Sequence, residues 1–277
     1  MKITIIGLGL IGGSLALELK ENHQIYGIDN NKEHQKKALS LGLVEEIIPL
    51  EKIHEMDVVI IAVPVDVAPQ LSNKIMDLIG KNTLVFDVGS TKEAVCNAIR
   101  NHPKRKNFIA THPIAGTEFS GPGAAIKNLF NNKVNIICEQ GLSDENQLKK
   151  LLHLLKPLQM NMVYMNSSKQ HDKHIAYVSH LSHISSFMLG KTVLEIEKED
   201  KNIFNMAGSG FASTVRLAKS SPTTWTPIFL QNKEHIIKSL DEYISNLQSF
   251  KKELENQSKT TIKNILTETN RIHKIIP

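Results

Sequence analysis

The chain is poor in cysteine and has no long hydrophobic run. Its 277 residues include two cysteines, Cys96 and Cys138, which form neither a C-x-x-C motif nor a zinc-ligand spacing. Such cysteine usage is typical of a reducing compartment. The longest apolar run, residues 58–65, is too short to cross a bilayer. A strand pattern that begins at residue 3 leaves no room for a signal peptide. We therefore expect a cytoplasmic protein with no membrane partner.

The chain also has no large excess of charge of either sign. It contains 33 Lys and Arg against 28 Asp and Glu, and the resulting net charge of +5 is spread along the sequence. The densest basic cluster, residues 104–106, is short and more typical of a solvated loop than of a nucleic-acid site. A modest positive field would still help an anionic substrate to arrive. We therefore expect a globular protein with a small-molecule partner and no nucleic acid.

The first 29 residues contain the most informative motif. An apolar strand over residues 3–6 is followed by Gly-Leu-Gly-Leu-Ile-Gly at 7–12, a helix, and a second strand over residues 24–28, directly before Asp29. In a dinucleotide-binding motif these glycines permit a tight turn, close approach to the pyrophosphate, and close packing of helix on strand. The helix N-terminus favours phosphate, and an acid about 20 residues further on accepts the ribose hydroxyls. The context favours NAD over NADP, and favours a cofactor site over a purely structural turn.

Strand and helix signals alternate through the first half of the chain. This alternation predicts an α/β fold of the Rossmann type, a doubly wound parallel sheet covered on both faces. Ligands of such sheets bind outside the carboxyl ends of the strands, so Pro64, Ser90 and His112 should face the same crevice as the glycine loop. Strands are predicted at 44–48, 58–63, 83–88, 108–111, 133–138 and 161–165, and helices at 32–41, 65–79, from 89–92 onward, and from a Ser143 cap to 155. The residues expected to hold the cofactor are Gly7, Leu8, Gly9, Leu10, Ile11, Gly12, Asp29, Val63 and Pro64.

The second half of the sequence is predicted to be helical throughout. One long helical pattern covers residues 169–197, and apolar residues then recur at spacings near three and four as far as Ile276. We predict an NAD-binding domain over residues 1–166 and an all-helical substrate and dimerisation domain over residues 167–277. The apolar faces of the helices are too extensive for one small bundle, so we expect a homodimer formed through the helical domain.

Two residues at predicted strand ends are candidates for chemistry. His112 lies on a loop dense in Gly, Pro and small polar residues, and an imidazole with an ordinary pKa near 6.5 accepts a proton at neutral pH. The alternative is a structural loop histidine. Ser90 follows the neighbouring strand, where it fits a helix N-cap, and its hydroxyl would also suit a role in orienting the histidine or a nicotinamide.

Several motifs together resemble the prephenate dehydrogenase family. They are the glycine loop at 7–16, Asp-Val-Gly-Ser-Thr-Lys at 87–92, and His-Pro-Ile-Ala-Gly-Thr-Glu at 112–118. The resemblance continues through His171-Asp172, Ser-His-Leu-Ser-His at 179–183, and Arg-Leu-Ala-Lys-Ser-Ser at 216–221 with Trp225. It covers nearly the whole chain in the same order, and the motif around His112 is more specific than the glycine loop.

The resemblance implies an NAD-dependent oxidative decarboxylation in tyrosine biosynthesis, which converts prephenate to 4-hydroxyphenylpyruvate, carbon dioxide and NADH. His112 would take the proton of the ring hydroxyl as hydride leaves the same carbon, and Ser90 would orient both groups. Arg216 matches the family's carboxylate-binding arginine, whose planar fork grips a carboxylate through two bonds. Without the resemblance it would be interpreted as a surface arginine. The further substrate positions implied by the resemblance are Gly116, Thr117, His183 and Trp225.

The histidines of the long predicted helix require a separate interpretation. Asp172, His180 and His183 fall on one face of that helix. Two histidines beside a carboxylate suggest a metal, but no further ligand set is evident, so we predict no metal and instead a buried polar pairing. The roles of His171, Asp172 and His180 stay open.

Three other functions remain compatible with parts of the pattern. Arogenate in place of prephenate would leave the motifs unchanged. A 3-hydroxyacid dehydrogenase would rely on a lysine motif in the helical half, and none is evident. A non-catalytic NAD-binding or nucleic-acid-binding regulator would keep the glycine loop but lose Ser90, His112 or Arg216, and all three are present.

The sequence also ends without the regulatory domain of some relatives, so any inhibition by tyrosine is expected at the active site. The family's charged pair is replaced by Ala-Ser at 212–213, which leaves the contacts of Arg216 open.

Overall fold

The structure is a computed structural model that describes residues 1–275, so Ile276 of the predicted apolar pattern lies outside the described residues. The strands are β1 (Lys2–Ile6), β2 (Gln24–Ile28), β3 (Glu46–Ile47), β4 (Val58–Ile61), β5 (Leu84–Asp87), β6 (Phe108–Pro113), β7 (Val134–Cys138) and β8 (Asn161–Met165). The helices are α1 (Leu10–Leu19), α2 (Lys32–Ser40), α3 (Ala68–Leu78), α4 (Glu93–Ile99), α5 (Glu145–Leu155), α6 (Ser168–Ile175), α7 (Leu181–Glu199), α8 (Ser209–Thr214), α9 (Pro222–Gln231), α10 (Lys233–Glu255) and α11 (Lys259–Thr269).

The eight strands form one sheet in the order β3-β2-β1-β4-β5-β6-β7-β8. Strands β1 to β6 are parallel to one another, whereas β7 runs antiparallel to β6 and parallel to β8. The expectation of a parallel sheet is therefore correct for six strands and wrong for the direction of the last two. The physical reason is the connection between β6 and β7: a parallel neighbour needs a crossover, usually a helix, and residues 114–133 contain only one short 3-10 turn.

Hydrophobic side chains cover both faces of the sheet. Along β4, Val58 and Ile60 join one buried cluster while Val59 and Ile61 join the other. This alternation follows from the two-residue repeat of a strand, and it explains why the run 58–63 is apolar at every position. Helices α1 and α5 contribute to the first cluster, and α3 and α4 contribute to the second. The predicted doubly wound α/β architecture followed by a helical half is confirmed.

Two predicted N-cap serines, Ser143 and Ser90, do not cap their helices, and in both cases a carboxylate of another residue does so instead. Helix α5 is capped by Asp144, whose side chain accepts the N–H groups of Asn146 and Gln147, and not by Ser143. The Ser143 hydroxyl instead donates to the carbonyl of Phe108 at 2.7 Å. Helix α4 begins at Glu93, so Ser90 lies before the helix and is not its N-cap. The cap of α4 comes from the helical half of the chain and belongs to the site described below.

The helical half begins with one continuous helical segment whose register changes midway. Helices α6 and α7 are joined by a π-helical turn, Ala176–His180, in which the Leu181 N–H bonds to the carbonyl of Ala176. Large apolar side chains of this half lie exposed on α7, α9 and α10, including Leu194, Leu230, Ile237, Leu247 and Leu254. In the described part of the chain, no helix combines the length and the apolar character needed to cross a membrane.

Candidate functional site

The candidate site lies at the carboxyl edge of the parallel strands. The sheet order places the loops after β1, β4, β5 and β6 side by side, and the direction of strand addition reverses between β1 and β4. Such a switch point is where open α/β sheets bind ligands. Gly7, Pro64, Ser90 and His112 follow or end these four strands. The four residues therefore lie at one edge of the sheet, and the crevice that they would face stays a prediction.

The glycine loop has the geometry of a cradle for a pyrophosphate. Gly7 has a φ of +95°, and a Cβ atom there would lie 2.4 Å from the carbonyl oxygen of Ala62. A Cβ on Gly12 would lie 2.0 Å from the carbonyl oxygen of Gly7, so the helix packs directly on the turn. At Gly9, the N-cap of α1, a Cβ would meet no atom of the described chain within 4 Å. The space over Gly9 and the free N–H groups of α1 fit a phosphate ligand.

Asp29 holds the glycine loop to the end of β2. Its Oδ2 atom accepts the N–H of Leu8 at 2.8 Å, and its Oδ1 atom accepts the N–H of Asn31, also at 2.8 Å. His34 approaches the same carboxylate, with 3.5 Å between Nδ1 and Oδ2. The carboxylate is thus fixed beside the turn, where a ribose would lie. Its contact with the ribose stays a prediction, as do the predicted roles of Val63 and Pro64, which follow β4. The backbone of Val63 lies beside Gly7.

A buried ion pair lies beneath the site. Lys92 is fully buried, and its ammonium group bonds to the carboxylate of Asp87 and to the carbonyl of Thr111 at 2.7 Å. The Asp87 carboxylate also accepts the N–H of Gly89 at 3.0 Å. These bonds tie the end of β5, the following loop and β6 together. Ser90 lies half-buried on that loop, and its proposed orienting role stays a prediction.

His112 is the first member of a chain of three side chains. It is 8% exposed near the end of β6, and 2.9 Å separates its Nδ1 atom from Nε2 of His171 on α6. The Nδ1 atom of His171 lies 2.7 Å from Oδ1 of Asp172. Within residues 1–275 no hydrogen bond to Nε2 of His112 occurs, so this atom is available to a ligand. Burial lowers the pKa of His112 well below its usual range, and His171, Lys92 and His180 lower it further. The imidazole is therefore neutral at neutral pH, as a general base must be.

Asp172 supplies the cap that the sequence did not predict for α4. Its two oxygens accept the N–H groups of Lys92 and Glu93 at 2.7 Å and 2.9 Å. Its own carbonyl accepts the side-chain amide of Asn232 at 2.7 Å, and the same amide lies 3.1 Å from Nδ1 of His180. Asp172 therefore joins the start of α4 to the helical half, and it is linked to His112 through His171.

Three of the predicted substrate residues lie together in the helical half. The His183 ring stacks on Trp225 with 3.4 Å between centroids, and His180 meets the same indole edge-on at 5.9 Å. Burial lowers the pKa of His183, and the nearby charge of Arg216 lowers it further. The structure therefore brings His183, Trp225 and Arg216 together. Gly116 and Thr117 instead lie on the exposed loop after β6, where the Thr117 hydroxyl accepts the N–H of Phe119 at 3.2 Å.

Sequence reasoning missed two polar residues at the junction of α9 and α10. The Gln231 side chain donates to the carbonyl of Val65 at 2.7 Å and accepts the hydroxyl of Thr91. Asn232 holds Asp172 and His180, as described above. Gln and Asn at a helix end are typical of a solvated turn, so the sequence carries no signal of these contacts.

Comparison with known proteins gives consistent matches over most of the chain. The family description "Prephenate dehydrogenase, nucleotide-binding domain" matches residues 15–164, and "Prephenate dehydrogenase, dimerization domain" matches residues 167–268. A prephenate dehydrogenase of Bacillus subtilis (strain 168) is 35% identical over 266 residues, which cover 93% of this chain and 71% of that protein. The division of the present chain at residue 166 stays a prediction.

Two solved structures are similar over the full length. Prephenate dehydrogenase from A. aeolicus, crystallised with hydroxyphenyl propionate and NAD+, superposes with a TM-score of 0.90 at 29% identity and covers 100% of this chain and 98% of its own. Synechocystis arogenate dehydrogenase has a TM-score of 0.79 at 28% identity, with both chains covered completely. With the site geometry, the family matches and these structures in agreement, the chain belongs to the prephenate dehydrogenase family.

Proposed function

We propose that this member of the family catalyses the NAD-dependent oxidative decarboxylation of prephenate to 4-hydroxyphenylpyruvate and carbon dioxide, in tyrosine biosynthesis. One observation carries the proposal. His112 is a buried, neutral histidine on the same sheet edge as the glycine loop, and its Nε2 atom is available to a ligand. The A. aeolicus relative, crystallised with NAD+ and a hydroxyphenyl compound, supports the choice of substrate class.

The residues present fit NAD. Side chains at Gly7 and Gly12 would collide with the backbone, whereas the space at Gly9 is open toward the α1 N-terminus. Asp29, fixed beside the loop, would accept the ribose hydroxyls and repel a 2′-phosphate. When bound, NAD would accept hydride from the ring carbon that bears the hydroxyl.

His112 would manage the proton of this reaction. Its Nε2 atom takes the proton of the ring hydroxyl as the C–O bond becomes a carbonyl. Loss of the ring carboxylate as carbon dioxide then pushes an electron pair into the ring and onto the oxygen. His112 returns the proton to that phenolate oxygen, so no net proton is released. Ser90, on the neighbouring loop, would orient the hydroxyl.

The second half of the site would hold the rest of the substrate. The Arg216 guanidinium would bind a carboxylate through paired N–H groups, close to the stacked rings of His183 and Trp225. Gly116 and Thr117 would contribute from the loop after β6.

Arogenate is the second candidate substrate. The full-length similarity to Synechocystis arogenate dehydrogenase favours it. Arogenate carries an amino group in place of the side-chain keto group of prephenate, which leaves the ring chemistry unchanged. Only a contact to this one substituent would distinguish the two substrates.

The test is NADH formation by the purified protein with prephenate and arogenate in parallel, alongside His112→Asn. Turnover of prephenate, and a loss of about a hundredfold or more in His112→Asn with NAD affinity retained, is the expected result. Turnover of arogenate alone would replace the substrate and keep the mechanism. Wild-type turnover by His112→Asn would overturn the base, and no turnover of either substrate would overturn the function.

The helical half would form a homodimer. Apolar side chains on α7, α9 and α10 lie exposed in the protomer, and the matching family description for this half is a dimerization domain. Light scattering should give about twice the 31.0 kDa chain mass. Leu247→Glu, on the exposed apolar face of α10, should shift the protein toward monomer, whereas the matched change Lys252→Glu should not. A monomeric wild-type protein would contradict the proposal.

A further inference from the structure

We propose that His171 and Asp172 are positioning residues that fix the tautomer of His112, so that its Nε2 atom presents a lone pair to the crevice. This inference rests on the proposed role of His112 as the base. It concerns two of the three residues whose roles the sequence leaves open, and it is carried by the continuous hydrogen-bond chain from Asp172 through His171 to His112.

The chain starts from a carboxylate that can only accept. The two oxygens of Asp172 receive the backbone N–H groups of Lys92 and Glu93, and a backbone N–H has no acceptor role. The third bond, 2.7 Å between Oδ1 and the Nδ1 atom of His171, is therefore donated by the ring. In a neutral imidazole, a proton on Nδ1 leaves Nε2 with a lone pair.

The same alternation continues one ring further. Because the Nε2 atom of His171 carries a lone pair, the 2.9 Å bond to His112 must be donated by Nδ1–H of His112. The Nε2 atom of His112 is then unprotonated and able to receive the substrate proton. Both rings are neutral because burial lowers the pKa of each. One carboxylate thus determines the protonated nitrogen of two successive rings.

The choice of ring nitrogen that carries the proton of His112 matters because a free neutral histidine in water prefers the proton on Nε2. In that tautomer His112 would point a donor at the substrate hydroxyl and could not take its proton. The relay also acts after proton transfer, since the imidazolium of His112 would donate through His171 toward the Asp172 charge. A base with the wrong tautomer loses most of its catalytic effect while its geometry stays intact.

The pair is held in place from both halves of the chain. Asp172 caps α4 in the sheet half and is joined to Asn232 in the helical half. The start of α6 is anchored by Glu139, whose carboxylate accepts the N–H and the hydroxyl of Ser168 at 3.3 Å and 2.6 Å. These contacts do not involve the His171 ring, so a change at His171 should leave them intact.

The experiment compares His171→Leu with His171→Gln, and uses His174→Leu as the matched control. Gln places an amide oxygen where Nε2 of His171 lies, so it keeps an acceptor for His112, whereas Leu removes it. His174 is an exposed residue on the same helix. Nitrogen-15 NMR of histidine-labelled protein, with His112→Asn to assign the signals, reports which ring nitrogen of His112 carries the proton. Steady-state kinetics on the same proteins report kcat and KM.

We expect His112 in the wild-type protein to show a protonated Nδ1 and an unprotonated Nε2. His171→Leu should shift the proton toward Nε2 and lower kcat at least about tenfold, with KM for NAD changed within about twofold. His171→Gln should keep the wild-type tautomer and recover most of kcat, and His174→Leu should match the wild-type protein in both respects.

Three results would overturn the inference: a protonated Nε2 on His112 in the wild-type protein, an unchanged kcat in His171→Leu, or a lower kcat in that variant with an unchanged tautomer. The first measurement needs no variant, so it tests the inference even if His171→Leu misfolds. The proposed function fails separately. If His112→Asn retains turnover, His112 is not the base. If His112→Asn is inactive and His171→Leu is not, only the positioning role is wrong.

Discussion

Removal of the buried lysine beneath the site should destabilise the protein far more than removal of a surface charge. Lys92→Met keeps the apolar stem but leaves the Asp87 carboxylate buried, with the Gly89 N–H at 3.0 Å as its remaining donor within residues 1–275. In the same described part of the chain, Oδ1 of Asp87 already has no hydrogen-bond partner. The carbonyl of Thr111 also loses its 2.7 Å bond. An uncompensated buried charge of this kind costs about 3–5 kcal/mol of unfolding free energy.

The loss should depend on pH in a defined direction. Burial raises the pKa of Asp87 in spite of the Lys92 charge, and without that charge it should rise further. A carboxyl whose pKa is higher in the folded state than in the unfolded state stabilises the fold at low pH, and this contribution is lost as pH rises. The deficit of Lys92→Met should therefore be smaller at pH 5 than at pH 8.

Urea unfolding of the cofactor-free protein at fixed concentration, followed by circular dichroism and by fluorescence of Trp225, measures the effect. The double variant Lys92→Met/Asp87→Asn removes both charges and should recover part of the loss. A loss below about 1 kcal/mol in Lys92→Met at neutral pH, the value typical of an exposed pair, would refute the reasoning. So would a double variant less stable than Lys92→Met.

Three further predictions concern cofactor, substrate and acid. Asp29→Ser should weaken NAD binding and narrow its advantage over NADP, and an unchanged ratio of the two dissociation constants would contradict the ribose role. Arg216→Ala should chiefly raise KM for prephenate, so an unaltered KM would remove Arg216 from the carboxylate site. Burial lowers the pKa of His180 to about 4. This shift contributes roughly 3 kcal/mol to the free energy of unfolding. The contribution is complete above the pKa of about 6.5 that histidine has in the unfolded chain, and it is lost as the pH falls toward 4. The urea midpoint should fall less steeply from pH 7 to 4.5 in His180→Gln than in the wild-type protein. Parallel plots of midpoint against pH for the two proteins would exclude the protonation of His180 as the cause of the acid destabilisation.

The parts of the fold that follow from local patterns could be predicted from the sequence. β2 and β8 have the predicted bounds, and the glycine loop has the predicted geometry, because strand period and glycine sterics act within a few residues. The direction of β7 could not be predicted in this way, since it depends on how a long loop returns to the sheet. The start of α4 differs from the prediction for a related reason, because its cap is Asp172, eighty residues further along the chain.

The candidate site shows the same limit. His112 and Ser90 could be proposed as candidates from their position at strand ends, and Arg216 from the resemblance. The sequence placed His171 and Asp172 in a motif but gave them no role, because their role depends on which ring nitrogen meets which partner across two halves of the chain. Gln231 carries no pattern at all, since its contacts with Val65 and Thr91 exist only after the halves meet.

The π-helical turn between α6 and α7 sets the rotational phase of one helical segment against the other. In an α-helix each residue turns the chain by about 100°, so an extra residue in one turn rotates everything beyond it around the axis. Residues before the turn, such as Asp172, are in phase with the sheet half, and residues after it, such as His183, are in phase with Trp225. Deletion of one residue within Ala176–His180 would keep the segment helical and swing His183 out of its stack. The turn thus lets a single length of helix serve two surfaces whose angular positions differ.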